Sequence, residues 1–242
     1  MQPLPRVLFS ILLPAAGALF FGGLAGNLST LTEVTNNAPL LGALGLVSWF
    51  LGLFWYGLAG LGLRGRRPLF AGIGFATVGW FIFLIFRFTS IEVNPQQAGS
   101  GQVFLYLLMF EAFAVQLWAF GLCFRSIADW RGPLTAAIGS GILFGMVAVF
   151  LFQEVYAPQN PLSLLYFLCW GVFYGLIRLR TGSLLGGMLV QALHSFTAWV
   201  VLGPMPPLTP VSSLQSLYLV AALGYLVMVW RLWPREIDDY RV

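Results

Sequence analysis

YGLIRLRTGSLLGGMLVQALHS, residues Tyr174–Ser195, sets two apolar runs on either side of a basic turn. The first run ends in Arg178 and Arg180, the turn is Thr181-Gly182-Ser183, and the second run begins at Leu184. Arginines beside a tight polar turn describe two membrane helices meeting at a lipid–water boundary. Composition outside the stretch agrees. Hydrophobic residues make up 59% of the 242 residues and charged residues 8%, against about 25% charged in soluble domains. One water-soluble core cannot enclose so many apolar side chains, so the solvent is lipid. The fold class is an all-α polytopic integral membrane protein.

A span needs roughly 20 apolar residues. Working outward from the turn, such runs lie at approximately 7–27, 38–63, 69–88, 102–124, 133–152, 162–178, 183–203 and 213–232, which predicts about eight transmembrane helices in a single domain, 1–242. The run at 7–27 is longer than a signal-peptide core and lacks an obvious small-residue cleavage site, so it counts as a span. Arginine tests the partition. Arg6, then Arg64, Arg66 and Arg67, then Arg125 and Arg131, then Arg178 and Arg180, then Arg231, Arg235 and Arg241 fall in alternate loops, and only Arg87 lies near the other face. Both termini are expected to be cytoplasmic.

The net charge of +4 comes from arginines at span ends, which orient the chain in a bilayer and give no reason to expect nucleic acid as a partner. Cys123 and Cys169 lie inside apolar runs without CxxC spacing and read as small buried hydrophobes. Glycine clusters at Gly22-Gly23, Gly57 with Gly60, Gly182 and Gly186-Gly187 are read mainly as the ordinary glycine of membrane helices, with close helix packing as the alternative.

The opening stretch also resembles the last signature region of the CPBP family of CAAX-processing and bacteriocin-processing (Abi-type) intramembrane proteases. There an arginine-flanked Thr-Gly-Ser-Leu turn leads into a helix carrying a His and, four residues on, an Asn. Upstream, Phe124-Arg125, Arg131-Gly132-Pro133 and Ile142-Leu143-Phe144-Gly145 are similar to the end of the family's EExxxR motif and the helix of its FxxxH motif. The resemblance spans roughly 105–203, with 1–104 as three N-terminal helices and 204–242 as the last helix and tail. It implies an intramembrane endopeptidase, but the matching positions are degenerate. The two glutamates fall on Phe120 and Gly121, the arginine on Arg125, the aromatic on Phe144 and its histidine on Ala148. The last motif's histidine falls on Gln191 and its asparagine on Ser195. Phe, Gly and Ala can neither activate water nor hold an oxyanion. A single histidine makes a three-ligand metal site improbable on inventory, and none is predicted.

Two ionisable residues fall inside spans. Glu111 and His194 each lie about nine residues from the outer end of their helix, roughly 13 Å deep. An intramembrane ionisable group marks a functional site by default. The preferred reading is polar glue, with Glu111 joining Gln116, His194 or a neighbouring hydroxyl. His194 and Ser195, adjacent on a helix, point about 100° apart and form no catalytic pair. Arg125 and Asp129 have the spacing of a surface ion pair. The tryptophans are compatible with a bound lipid, quinone or pigment, yet anchoring at the interface explains many of them, so no cofactor is predicted.

Three functions follow. The leading one is a non-catalytic pseudoprotease acting as a binding or structural protein, or accessory subunit of a larger membrane complex, in a bacterial plasma (inner) membrane, with partner subunits and the bilayer as its contacts. The second is an active CAAX-type endopeptidase with a shifted site built from Glu111, Arg125, Gln191, His194 and Ser195. The third is a small proton-coupled transporter with Glu111 and His194 as relay.

Overall fold

A computed structural model describes residues 3–26, 37–90, 101–151, 161–197, 211–236 and 239–241. Among them there is no strand, and each of the eight expected spans is a helix. These are α1 (Pro3–Gly26), α2 (Ala38–Gly60), α3 (Arg67–Ser90), α4 (Gly101–Arg131), α5 (Pro133–Leu151), α6 (Pro161–Thr181), α7 (Leu185–Ser195) and α8 (Val211–Leu232). Six are long and apolar enough to cross a membrane, whereas the apolar part of α5 is shorter and α7 has eleven residues. Part of the expected 183–203 span lies outside the described residues.

Two features of α4 differ from the sequence reading. α4 continues to Arg131 instead of ending near 124. Its last turns, Phe124–Arg131, are polar on one side and bury Phe124, Ser126 and Ile127 on the other, so they need no hydrocarbon around them and apolar run length misses them. α4 also contains two π-helical stretches, Leu107–Ala112 and Leu117–Cys123, where N–H groups reach five residues back, as Phe113 N–H does to the Leu108 carbonyl. Hydropathy carries no sign of such widening.

The cationic ends meet at one end of the bundle. Arg6 on α1 reaches Asp129 on α4 at 3.4 Å, Arg178 on α6 donates to the Gly60 carbonyl ending α2 at 3.2 Å, and Arg241 N–H in the tail donates to the Leu179 carbonyl at 2.9 Å. Arg87, in the last turn of α3, is buried within the bundle.

α6 is the central column, burying Tyr166, Phe167, Trp170, Phe173 and Tyr174. Its closest neighbour is α5, and glycines set the separation. Gly141 and Gly145 on α5 face Gly171 and Gly175 on α6. A Cβ on Gly171 would stand 2.0 Å from the Gly141 carbonyl oxygen, and one on Gly175 would stand 2.1 Å from that of Ala137. These four glycines form a GxxxG pair, a spacing that lets helix backbones touch and gain dispersion contacts where no hydrophobic force joins helices in lipid. Ordinary membrane glycine describes Gly23, which faces open space, but not Gly186. A Cβ there would lie 2.4 Å from the backbone nitrogen of Ile73, so Gly186 is where α7 lies against α3.

Candidate functional site

The seam between α4 and α7 holds four of the buried polar side chains that sequence reading singled out, Glu111, Gln116, Gln191 and Ser195. Gln116 Nε2 donates to Gln191 Oε1 at 2.7 Å, with both side chains buried. Further along the same seam, Glu111 on α4 faces the Ser195 hydroxyl on α7. The register has a local cause. Gln191 and Ser195 are four residues apart and share a face of an α-helix, whereas Glu111 and Gln116 are five apart, about 140° around a regular one. The π-helical stretch over Leu107–Ala112 takes up the extra residue and returns both to the α7 side.

These groups do not fully satisfy one another. Glu111 Oε1, Ser195 Oγ and Gln191 Nε2 are buried and make no hydrogen bond of normal geometry among the described residues. The Glu111–Ser195 contact is thus looser than the glutamine pair. A carboxyl, a hydroxyl and two amides lie together in an apolar seam.

His194 points elsewhere. Its Nε2 shares a hydrogen bond with the Tyr166 hydroxyl on α6 at 3.3 Å, and its ring lies between Phe83 and Trp170, each centroid 4.6 Å away. The depth match between Glu111 and His194 therefore does not bring them together: the turn of the helix gives Ser195 to α4 and His194 to α6. The charge near His194 is Arg87. That partner was missed because Arg87 reads as a span-end cation. Its departure from the alternation of the other arginines was the available signal.

Two of the positions that sequence reading set against the resembled family's motifs, Phe120 and Phe144, sit together in an aromatic core. The Phe120 ring is wholly buried, 5.4 Å from Phe144 and 6.3 Å from Tyr174. Phe144 packs edge-on to Trp170 at 5.3 Å. Ala148 is also fully buried. Gly121 has little room for a side chain, since a Cβ would sit 3.3 Å from the Leu61 carbonyl oxygen and 3.4 Å from Leu184. Arg125 pairs with Asp129 at 3.3 Å at the bundle's end, with about a third of its side chain exposed.

Sequence reasoning treated Arg178 as one more interfacial arginine. It is instead buried, with Nε donating to the Phe120 carbonyl at 3.1 Å, Nη2 to Gly60, and its guanidinium 4.9 Å above the Phe124 ring. The π-helical stretch prepares one acceptor: Phe124 N–H bonds the Ala119 and Gly121 carbonyls and skips that of Phe120. Gly62, at φ 82°, lies so close to Arg178 that a Cβ would be 2.5 Å from Nε. Arg178 thus clasps α2, α4 and α6 beside the motif positions.

Among the described residues no group of three His, Cys, Asp or Glu side chains is placed to hold a metal. Residues 97–197 match a family model described as type II CAAX prenyl endopeptidase, Rce1-like. No curated protein and no solved structure matches the chain.

Proposed function

We propose that this chain, a membrane protein of the Rce1-like family through residues 97–197, is a pseudoprotease that works by binding rather than by hydrolysis. The observation that carries the reading is the wholly buried Phe120 ring packed on Phe144 and Tyr174. An apolar ring at the first motif carboxylate position removes the base that activates water. At the other motif positions, Ala148 offers no polar group and Gln191 Oε1 is engaged by Gln116.

In this reading the Glu111, Gln116, Gln191 and Ser195 seam is polar glue joining α4 to α7, and the whole chain is one transmembrane domain. It acts as an accessory subunit in a bacterial plasma membrane with both termini cytoplasmic. A furrow shared by α1, α2 and α4, with Gly42, Leu46 and Phe110 along its floor and a hollow of about 530 Å³ at one end, is the surface offered to partner helices. Mild-detergent purification from native membranes followed by mass spectrometry tests this. Stoichiometric membrane partners are the expected result, and a chain migrating alone would contradict the accessory role.

A second reading rests on the incompletely bonded Glu111, Ser195 and Gln191 atoms, which are the parts of a shifted proteolytic site. It needs a base nine residues from the family's position, about 14 Å along a helix. Cleavage of a prenylated CAAX peptide that disappears in Glu111→Gln would establish it and overturn the pseudoprotease.

A further inference from the structure

A cleft of about 280 Å³ opens at the arginine-rich end of the bundle between the start of α3, the end of α6 and the C-terminal tail. Its cations come from all three elements: Arg67, Arg180 and Arg241. Asp239 is the acidic residue lining it, and it is already engaged. It pairs with the Arg180 guanidinium and accepts the backbone N–H groups of Arg235 at 2.9 Å and Glu236 at 3.3 Å. Among the described residues Arg67 and Arg241 have no carboxylate partner, so two of the three cationic residues that line the cleft carry no ion pair. The tail is fixed in place, since Arg241 N–H donates to the Leu179 carbonyl and Gly182 packs beneath the Arg241 carbonyl.

The other wall is apolar. Pro68, Ala71 and Phe75 line it, and Arg67, Ala71 and Phe75 recur every four residues on one face of α3. From Arg67 to Phe75 that face descends about 12 Å into the bundle's apolar zone. A soluble anion needs the guanidinium groups alone. A phosphate attached to an acyl chain uses both halves, with its oxygens on Arg67 and Arg241 and its chain along Ala71 and Phe75.

The geometry points to a binding site for the phosphate headgroup of an anionic phospholipid, seated between Arg67 and Arg241 with an acyl chain along α3. The site lies apart from the α4–α7 seam and is independent of whether the protein is a protease. Charge complementarity at a membrane surface is worth about a fivefold preference per arginine.

The test uses the full-length protein in bilayers of phosphatidylcholine alone and of equal parts phosphatidylcholine and phosphatidylglycerol, with native mass spectrometry of the retained lipid. Wild type is expected to retain phosphatidylglycerol preferentially. The Arg67→Gln/Arg241→Gln double variant, which leaves the Arg180–Asp239 pair intact, is expected to lose that preference by about fivefold per arginine. Ala71→Glu, at an exposed position on the apolar wall, should lose it as well. Arg131→Gln removes one positive charge at the same end outside the cleft, where Arg131 stacks on Trp130, and should retain it. No preference in wild type, equal loss in Arg131→Gln, or displacement of the lipid by inorganic phosphate at matched concentration would each overturn the assignment, the last by pointing to a soluble phosphate.

Discussion

Gln116 Nε2 and Gln191 Oε1 lie 2.7 Å apart in the buried seam between α4 and α7, the latter at the position where the resembled family keeps a histidine. The pair ties α4 to α7. Removing one partner strands the other amide in an apolar seam.

Gln116→Leu alone is therefore expected to destabilise the protein by about 1–2 kcal/mol, and Gln191→Leu by a similar amount. The double variant should cost less than the sum of the two, because neither amide is then left behind. Unfolding in mixed micelles checks this, and additive losses would show that the bond contributes nothing as a pair.

Arg178 makes a sharper case. Its fork reaches two carbonyls on different helices and covers Phe124, which a lysine ammonium cannot reproduce. Arg178→Lys is expected to cost about 2 kcal/mol and Arg178→Met more, since the Phe120 and Gly60 carbonyls then lose a buried donor. Equal stability of wild type and Arg178→Lys would show that only the charge matters.

The α5–α6 contact predicts a contrast between glycines. Gly171→Ala puts a methyl group against the Gly141 carbonyl and is expected to lower stability by about 1–3 kcal/mol. Gly23→Ala meets open space and should be neutral or slightly stabilising through helix propensity. Thermal unfolding of the two variants side by side decides it.

Much of this fold was legible in the sequence because the signals are long-range averages: apolar run length marked the helices, and arginine alternation placed their ends. What stayed hidden depends on local geometry. The π-helical turns that bring Glu111 and Gln116 to one face leave no trace in hydropathy. Gly141, Gly145, Gly171 and Gly175 carry a readable four-residue spacing, yet only the opposing helix shows that they meet. Arg178 and Arg87 were read as interfacial because that is the commonest place for arginine, and the span-end position that both keep gave no sign that their side chains are buried in the bundle. Of the site, the buried polar residues Glu111, Gln116, Gln191, His194 and Ser195 stood out in the sequence, whereas the division of Ser195 to α4 and His194 to α6 required the helix rotation.

Docking of the tail is expected to depend on pH through Asp239. The Arg235 backbone N–H, helped by that of Glu236 and by the Arg180 guanidinium, holds this carboxyl below the usual carboxylate range. A lowered value in the docked state means the stabilisation is fully present above the ordinary carboxylate pKa near 4 and is lost as pH falls through the lowered value. A spin label at Arg241→Cys should stay immobilised from neutral pH to about pH 5 and become mobile in stronger acid. With Asp239→Asn added it should be mobile throughout.

The central claim is that the motif positions hold an aromatic core and no hydrolytic centre. Its most direct test is the rate at which purified protein in proteoliposomes cleaves a prenylated CAAX peptide, compared with empty liposomes and with Glu111→Gln. The expected result is no cleavage above the liposome background in either protein. Cleavage by the wild type that Glu111→Gln abolishes, with the variant still folded, would contradict the account and make the α4–α7 seam an active site.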